Sequence, residues 1–146
     1  MSGAGGPSAS GAEVARGSCL CGALRYRVTG PLRPVVACHC VMCRKTSGHF
    51  VAATAAREEH VTITGKARWY RSSARAERGF CPTCGSNLFW RSAGRVSLWA
   101  GSLDAAPADL RLAGHIFCGD KGAYYEITDG LPQAAGDDPD LALAPR

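Results

Sequence analysis

Cysteine is the residue type in this sequence whose number and spacing point most directly to chemistry. Seven of the eight cysteines fall into three clusters: Cys19 and Cys21; Cys38, Cys40 and Cys43; and Cys81 and Cys84. Thiols two or three residues apart do not readily form a disulfide with each other, but a tight turn can bring them onto one metal ion. The spacing therefore predicts metal binding, and zinc is the ion that cysteine clusters of this kind typically hold.

The segment Cys81-Pro82-Thr83-Cys84-Gly85 has the shape of a zinc knuckle. The proline sets the turn, and the glycine lets backbone amides approach the two sulfurs. One knuckle supplies two thiolates, so a tetrahedral structural site needs a second pair. Both of the other clusters are available donors for it.

The central cluster of Cys38, Cys40 and Cys43, which we call the trio, is left over once two pairs close a four-cysteine site. Three protein ligands leave one coordination position open, and this is typical of a catalytic or ligand-accepting zinc. Two alternatives stay open at this point. Fewer ions bind and the spare cysteines are simply buried, or the trio is redox-active or supplies a fourth ligand elsewhere.

Short runs of alternating apolar and polar residues surround the clusters and predict strands rather than helices. Strands are expected within residues 24–28, 50–54, 61–64, 67–71, 88–91 and 96–99, with one or two more in 110–117 and 124–127. The turn residues predict two hairpins, one over 61–71 and one over 88–99. Helix is expected only as single turns at 57–60 and 105–109. The predicted fold class is all-β.

Composition predicts one globular domain, since 46% of the residues are hydrophobic and 20% are charged. The folded unit is expected at 17–132, between a disordered Gly/Ser/Ala-rich lead (1–16) and a disordered acidic tail (133–146). The sequence has neither a membrane-spanning apolar segment nor the apolar region of a secretory signal, so a reducing, cytoplasmic location is expected. The net charge is +5, but the sequence contains no run of Lys and Arg, so the charge pattern does not indicate a nucleic-acid partner.

The motifs around the cysteines resemble those of the glutathione-dependent formaldehyde-activating enzyme (GFA) family, which shares its domain with centromere protein V. The resemblance lies in residues 17–23 (GSCLCGA), 38–48 (CHCVMCRKTSG) and 79–89 (GFCPTCGSNLF), and then in 100–104, 115–117 and 129–132. It covers 17–132, the whole predicted folded unit.

The resemblance implies a β-tent fold of short antiparallel sheets with two zinc ions per chain. It implies a structural zinc site formed by Cys19, Cys21, Cys81 and Cys84, and an open, catalytic zinc site formed by Cys38, Cys40 and Cys43. It also implies that the thiol of glutathione enters the open position and adds to formaldehyde or a related small aldehyde. The product would be S-hydroxymethylglutathione, which makes the predicted activity that of a carbon–sulfur lyase acting on a small thiol and an aldehyde.

Other polar residues near the motifs have simpler explanations as well as functional ones. Arg44 and Lys45 directly follow the trio and either pair with a carboxylate of glutathione or form a solvated basic turn. His39 is expected to point away from the metal and to lie at the surface. His115 is expected to make a structural hydrogen bond, and Cys118 to be inert. The three tryptophans are expected in the core.

A second class of function is a non-catalytic binding module, stabilised by zinc, that recognises a macromolecular partner. The relation to centromere protein V allows this reading. The chain carries no basic or proline-rich extension of the kind such modules use, and this favours the enzyme.

Overall fold

The computed structural model describes residues 11–142, and its elements are mostly short strands. The strands are β1 (Ala15–Ser18), β2 (Arg25–Val28), β3 (Arg33–Cys38), β4 (Val51–Arg57), β5 (Val61–Thr64), β6 (Arg68–Arg71), β7 (Glu77–Phe80), β8 (Asn87–Ser92), β9 (Arg95–Trp99), β10 (Leu103–Ala105) and β11 (Leu112–Ile116). The helices are α1 (Val41–Ser47) and α2 (Pro139–Ala142), with 3₁₀ turns at Glu58–His60, Ala100–Ser102 and Cys118–Asp120. The all-β class predicted from the sequence is confirmed.

The strands form two sheets. A four-stranded antiparallel sheet has the order β10-β1-β2-β5, and a seven-stranded sheet has the order β11-β3-β4-β9-β8-β7-β6. Every pairing in the larger sheet is antiparallel except that of β11 with β3, which is parallel. The short antiparallel sheets expected from the resemblance are therefore present, with one parallel strand added at an edge.

The main hydrophobic core lies between the two sheets. Val96 and Leu98 of β9 and Phe89 of β8 are buried in one cluster with Tyr26 and Val28 of β2. The rings of Tyr26 and Phe89 meet edge to face with centroids 5.3 Å apart. Because side chains alternate along a strand, the intervening residues of β8 and β9 point to the opposite face of the larger sheet. That opposite face is available for a site.

The predicted hairpin over 88–99 is confirmed, but the one over 61–71 is wrong. β8 and β9 pair across Ala93 and Gly94, which both have positive φ, as a tight hairpin turn requires. In contrast, β5 pairs with β2 in the smaller sheet, and β6 pairs with β7 in the larger one. Gly65, at φ +94, is where the chain leaves the first sheet for the second. A pairing between distant segments has overridden the local turn signal.

Helix α1 was not expected from the sequence. Its seven residues are too few to show a helical hydrophobic period. Cys40 caps its first turn, and Gly48, at φ +83, ends it in the left-handed conformation. The turn predicted at 57–60 is present as a 3₁₀ turn, whereas residues 105–109 contain no helix and residues 124–127 no strand.

The folded unit of the structure is wider than the 17–132 expected from composition. β1 begins at Ala15 and pairs with β2. Beyond Pro132, the Ala134 N–H donates to the His115 carbonyl, and the Phe117 N–H donates to the Gly136 carbonyl. Residues 1–10 and 143–146 of the predicted lead and tail lie outside the described residues. Between residues 11 and 142, no helix is both long enough and apolar enough to cross a membrane.

Candidate functional site

Four cysteines form a first cluster, the tetrad, whose sulfur atoms all lie within 4.8 Å of one another: Cys19, Cys21, Cys81 and Cys84. The first pair follows β1 of the smaller sheet, and the second pair lies between β7 and β8 of the larger sheet. Each pair sits in a tight turn that ends in a glycine at positive φ, Gly22 or Gly85. These glycines donate their N–H groups back to the carbonyls of Cys19 (3.1 Å) and Cys81 (2.8 Å). The tetrad thus joins the two sheets.

Hydrogen-bond donors point at the sulfurs of the tetrad. The Leu24 N–H donates to Cys19 Sγ at 3.3 Å, and the Ser86 hydroxyl lies 3.2 Å from Cys84 Sγ. Hydrogen bonds from the hydroxyl and then the N–H of Ser86 lower the pKa of Cys84 to about 5. The thiolate is the form that binds a metal, so Cys84 favours that form, and the four sulfurs together are the donors of a closed four-cysteine metal site.

The trio forms the second cluster, and its sulfurs also lie within 4.8 Å of one another. Cys38 ends β3, Cys40 caps α1, and Cys43 lies in the first turn of that helix. The Cys43 N–H donates to Cys40 Sγ at 3.4 Å. The strand-to-helix junction therefore brings three thiols of one short segment together, with Cys43 buried and the other two half-buried.

The trio needs a cation if all three thiols are to ionise. Hydrogen bonds from Cys38 and Cys43 lower the pKa of Cys40 to about 2. Hydrogen bonds to Cys40 and Cys43, and then burial, raise the pKa of Cys38. One thiolate thus forms at the expense of its neighbours, because like charges this close repel. The donor set fits a zinc ion, whose charge would let all three sulfurs bind as thiolates.

The trio opens into a cavity of about 520 Å³, whereas no cysteine of the tetrad lines it. The cavity lies on the face of the larger sheet that points away from the main core. Two cross-strand rows of that face contribute to its lining: Val36, Ala53 and Trp99; and Arg78, Trp90 and Ser97. The structure therefore places the trio beside a cavity of ligand size and the tetrad outside that cavity.

Sequence reasoning placed the tryptophans in the core, and this is wrong for Trp90. Trp69 packs against the core cluster between the sheets, and Trp99 packs against a smaller buried cluster of Cys43, Val51 and Ala53. Trp90 and Trp99 are half-buried and line the cavity. Three further lining residues had not been singled out: Arg33, Arg78 and Arg95. The alternation within Arg95–Trp99 places Arg95, Ser97 and Trp99 on one face of the strand, but it does not show that this face meets a cavity.

The expectation that His39 lies at the surface is wrong, because its side chain is fully buried. His39 Nδ1 hydrogen-bonds the Tyr125 hydroxyl, and His39 Nε2 lies 2.9 Å from Nδ1 of His115. His115 Nε2 in turn lies 2.7 Å from Asp129 Oδ2. Burial, followed by the charges of His115 and His49, lowers the pKa of His39 to about 4. This chain of hydrogen bonds anchors the segment that carries Cys38 and Cys40 to residues 125–129.

Arg44 and Lys45 lie on α1, and neither lines the cavity. Arg44 Nη1 donates to the carbonyl of Asp120 at 2.9 Å, and Lys45 is exposed. Their predicted contact with glutathione stays a prediction. Cys118 is half-buried in the 3₁₀ turn after β11 and belongs to neither cysteine cluster. Burial raises the pKa of its thiol, which agrees with an inert residue.

Comparison with known proteins gives a family and a fold. Residues 14–120 match the family described as glutathione-dependent formaldehyde-activating enzyme. A Schizosaccharomyces pombe protein named as an uncharacterized lyase is 33% identical over 75 residues, which are 51% of this chain and 55% of that protein. The match thus spans about half the length of that relative.

A crystal structure of a Rhodobacter sphaeroides protein shares the fold with a TM-score of 0.55. The alignment covers 68% of this chain and 98% of that one, at 23% sequence identity. At this identity the likeness concerns the fold alone. The fold of this part of the chain is therefore a known architecture.

Proposed function

The chain belongs to the glutathione-dependent formaldehyde-activating enzyme family, and on that basis we propose that it is a zinc-dependent carbon–sulfur lyase. In this proposal the tetrad holds a structural zinc ion. The trio holds a second zinc ion, whose remaining position accepts a glutathione-like thiol. The thiol adds to formaldehyde or a related small aldehyde to give S-hydroxymethylglutathione or its analogue.

The observation that carries the proposal is the difference between the two clusters. Only the trio lines the cavity of about 520 Å³, and it offers three sulfurs within 4.8 Å of one another. Three protein ligands with an adjacent cavity are the arrangement of a metal site that exchanges a ligand. The four sulfurs of the tetrad suffice for a closed tetrahedral site, which supports a structural role there.

When bound at the trio, zinc would keep a thiol ionised at neutral pH. The chain's own residues would hold that thiol at one end of a cavity whose walls include Val51, Trp90 and Trp99. Confinement of thiol and aldehyde in one cavity makes their encounter effectively unimolecular. The sulfur then forms a bond to the carbonyl carbon, the π electrons move to the carbonyl oxygen, and that oxygen takes up the proton which the thiol has released.

Arg44 and Lys45 stay in the proposal as contacts for a carboxylate of the thiol outside the cavity. Helix α1 carries both residues directly after Cys43, the last cysteine of the trio. A thiol long enough to extend beyond the cavity would reach this basic turn.

Cobalt substitution tests the proposal because a thiol that enters the coordination sphere changes the visible absorption of the ion. The wild-type protein should carry two metal ions and should respond to glutathione. Cys43→Ser should fold, retain one ion firmly and give no response. Cys118→Ser is the matched control, since Cys118 lies outside both clusters, and it should respond like the wild type.

An unchanged wild-type spectrum with glutathione and with other small thiols would contradict the proposal. So would a firm content of one metal ion per chain after preparation with added zinc. The trio would then be a second structural site or a set of buried thiols. The non-catalytic module that binds a macromolecular partner would become the better account.

A further inference from the structure

The cavity beside the trio contains an unusual concentration of buried positive charge. Three arginines from three different strands of the larger sheet line it: Arg33 of β3, Arg78 of β7 and Arg95 of β9. Arg33 and Arg78 are only 9% and 6% exposed. Burial, followed by the charge of Arg95, lowers the pKa of Arg33 to about 10, so this guanidinium still carries its charge at neutral pH. Arg33 donates to the carbonyl of Ala53 at 2.7 Å and so contributes charge to the cavity wall, whereas an arginine as buried as Arg78 normally has a specific anionic partner.

Arg78 has no carboxylate partner in the described part of the chain. Its Nη2 donates to Cys43 Sγ at 3.8 Å, while Nε and Nη1 are buried without a hydrogen-bond partner. None of the ion pairs found among residues 11–142 includes it. A buried guanidinium with two unused donors is costly unless a ligand satisfies it. Arg78 therefore points to an anion that enters beside the trio.

The charges around the cavity leave room for that anion. Three thiolates around one divalent ion carry a net charge of −1, which offsets one of the three arginines. Two acidic residues, Asp120 and Asp137, also line the cavity, but both are exposed and their charges are screened by water. The interior stays positive. Its remaining walls are largely apolar, as in Val36, Ala53 and Trp99, so they supply no competing anion.

We propose that these arginines make the cavity selective for thiols that carry a carboxylate, with the carboxylate held by the guanidinium groups and the thiol directed to the trio. This inference rests on the proposed function, because it assumes that a thiol enters at the trio. It adds a carboxylate contact inside the cavity, next to the trio and separate from Arg44 and Lys45, and it names the residues that make this contact. Since Arg78 lies within 4 Å of a trio sulfur, a carboxylate only a few bonds from the thiol reaches it.

A matched pair of ligands isolates the charge of the carboxylate. 3-Mercaptopropionate and 3-mercaptopropionamide have nearly the same size and differ by one negative charge. Each is titrated into the cobalt-substituted protein, and the change in visible absorption gives its dissociation constant. The wild type should bind the acid at least about tenfold more tightly than the amide, which is the size expected of one charge-assisted hydrogen bond.

Variants then show which arginine is responsible for the preference for the acid. Arg78→Met removes the charge and keeps the length of the side chain, and it should lower the acid-to-amide ratio by about tenfold. Arg57→Met is the control, because this substitution removes the same charge from a residue that is exposed and does not line the cavity. It should leave the ratio unchanged. If Arg78→Met fails to fold, Arg95→Met supports the same comparison.

The possible outcomes separate this inference from the function on which it rests. Equal affinities for acid and amide in the wild type would overturn the selectivity while leaving a thiol-binding trio in place. A preference that survives both Arg78→Met and Arg95→Met would overturn the assignment to these arginines. No spectral change with either ligand or with glutathione would overturn the proposed function and this inference together.

Discussion

Replacement of Cys81 by serine should cost more stability than this fold can lose. Cys81 is 1% exposed and lies in the core cluster with Leu88 and Phe89. Its sulfur is 3.8 Å from that of Cys21, which follows β1 of the other sheet. The substitution therefore removes one ligand from the only cysteine cluster, among the described residues, that joins the two sheets.

The size of the effect follows from the free energy of metal binding. In zinc-finger peptides a structural zinc ion contributes about 10–16 kcal/mol, and the tetrad would hold such an ion in the proposed function; a domain of this size has a total stability of about 5–15 kcal/mol. Loss of even half of the metal contribution, about 5 kcal/mol, equals the lower end of that stability. The serine hydroxyl would add a cost of about 1–3 kcal/mol, because it is buried among apolar side chains. Cys81→Ser should be unfolded or insoluble.

Circular dichroism, thermal melting and metal analysis of the purified proteins measure this effect. Cys118→Ser is the control, because Cys118 is only half-buried and belongs to neither cluster. It should melt close to the parent and carry the same amount of metal. Cys43→Ser should also fold, with one metal ion fewer. If Cys81→Ser folds and melts within a few degrees of the parent, the tetrad is not a structural site and the reasoning is refuted.

Two further predictions concern the framework around the sites. The Tyr26 hydroxyl lies 2.6 Å from Ser102 Oγ, and burial raises the pKa of Tyr26 to about 12. Between pH 10 and 12 the unfolded chain therefore loses a proton that the folded chain keeps. Stability should fall by about 2–3 kcal/mol over that range and by less in Tyr26→Phe, as measured by denaturant unfolding at each pH. Gly94→Ala should lower the free energy of unfolding by about 1 kcal/mol, because residue 94 has a positive φ. Gly65→Ala should lower it by at least about 2 kcal/mol more, because the added Cβ would lie 2.2 Å from the Ala23 carbonyl oxygen. Equal unfolding free energies for the two alanine variants would contradict this account of the turn.

The features that could be predicted from the sequence are those set by neighbours in the chain. Three cysteine motifs, each within a six-residue window, predicted that thiols cluster, and the trio is such a local group. The joining of Cys19 and Cys21 with Cys81 and Cys84 was implied only by the family resemblance, because local spacing left the second pair open. The β8–β9 hairpin followed from the turn at Ala93 and Gly94, because that turn needs no information from elsewhere in the chain. The all-β class followed from short alternating runs for the same reason.

The features that were missed depend on distant segments. The run Val61–Thr64 has a turn and a second run directly after it, yet it pairs with β2, more than 30 residues earlier. His39 occupies an ordinary position between two cysteines, and its burial arises from His115 and Tyr125, about 76 and 86 residues away. Nothing local marks such partners, so sequence reasoning assigned His39 to the surface.

The cavity arginines were missed for a different reason, which concerns the two faces of one sheet. Along β9, Val96 and Leu98 enter the core between the sheets, while Arg95, Ser97 and Trp99 face the cavity. Read alone, this alternation is typical of a strand with one solvated face, where an arginine needs no explanation. Only the pairing of β9 with β4, and of β4 with β3, shows that the second face meets the trio. The same alternation thus places apolar side chains in the core on one face and the cavity arginines near the trio on the other. The ligand that this site selects therefore depends on the positive charge of these arginines as well as on the cysteines.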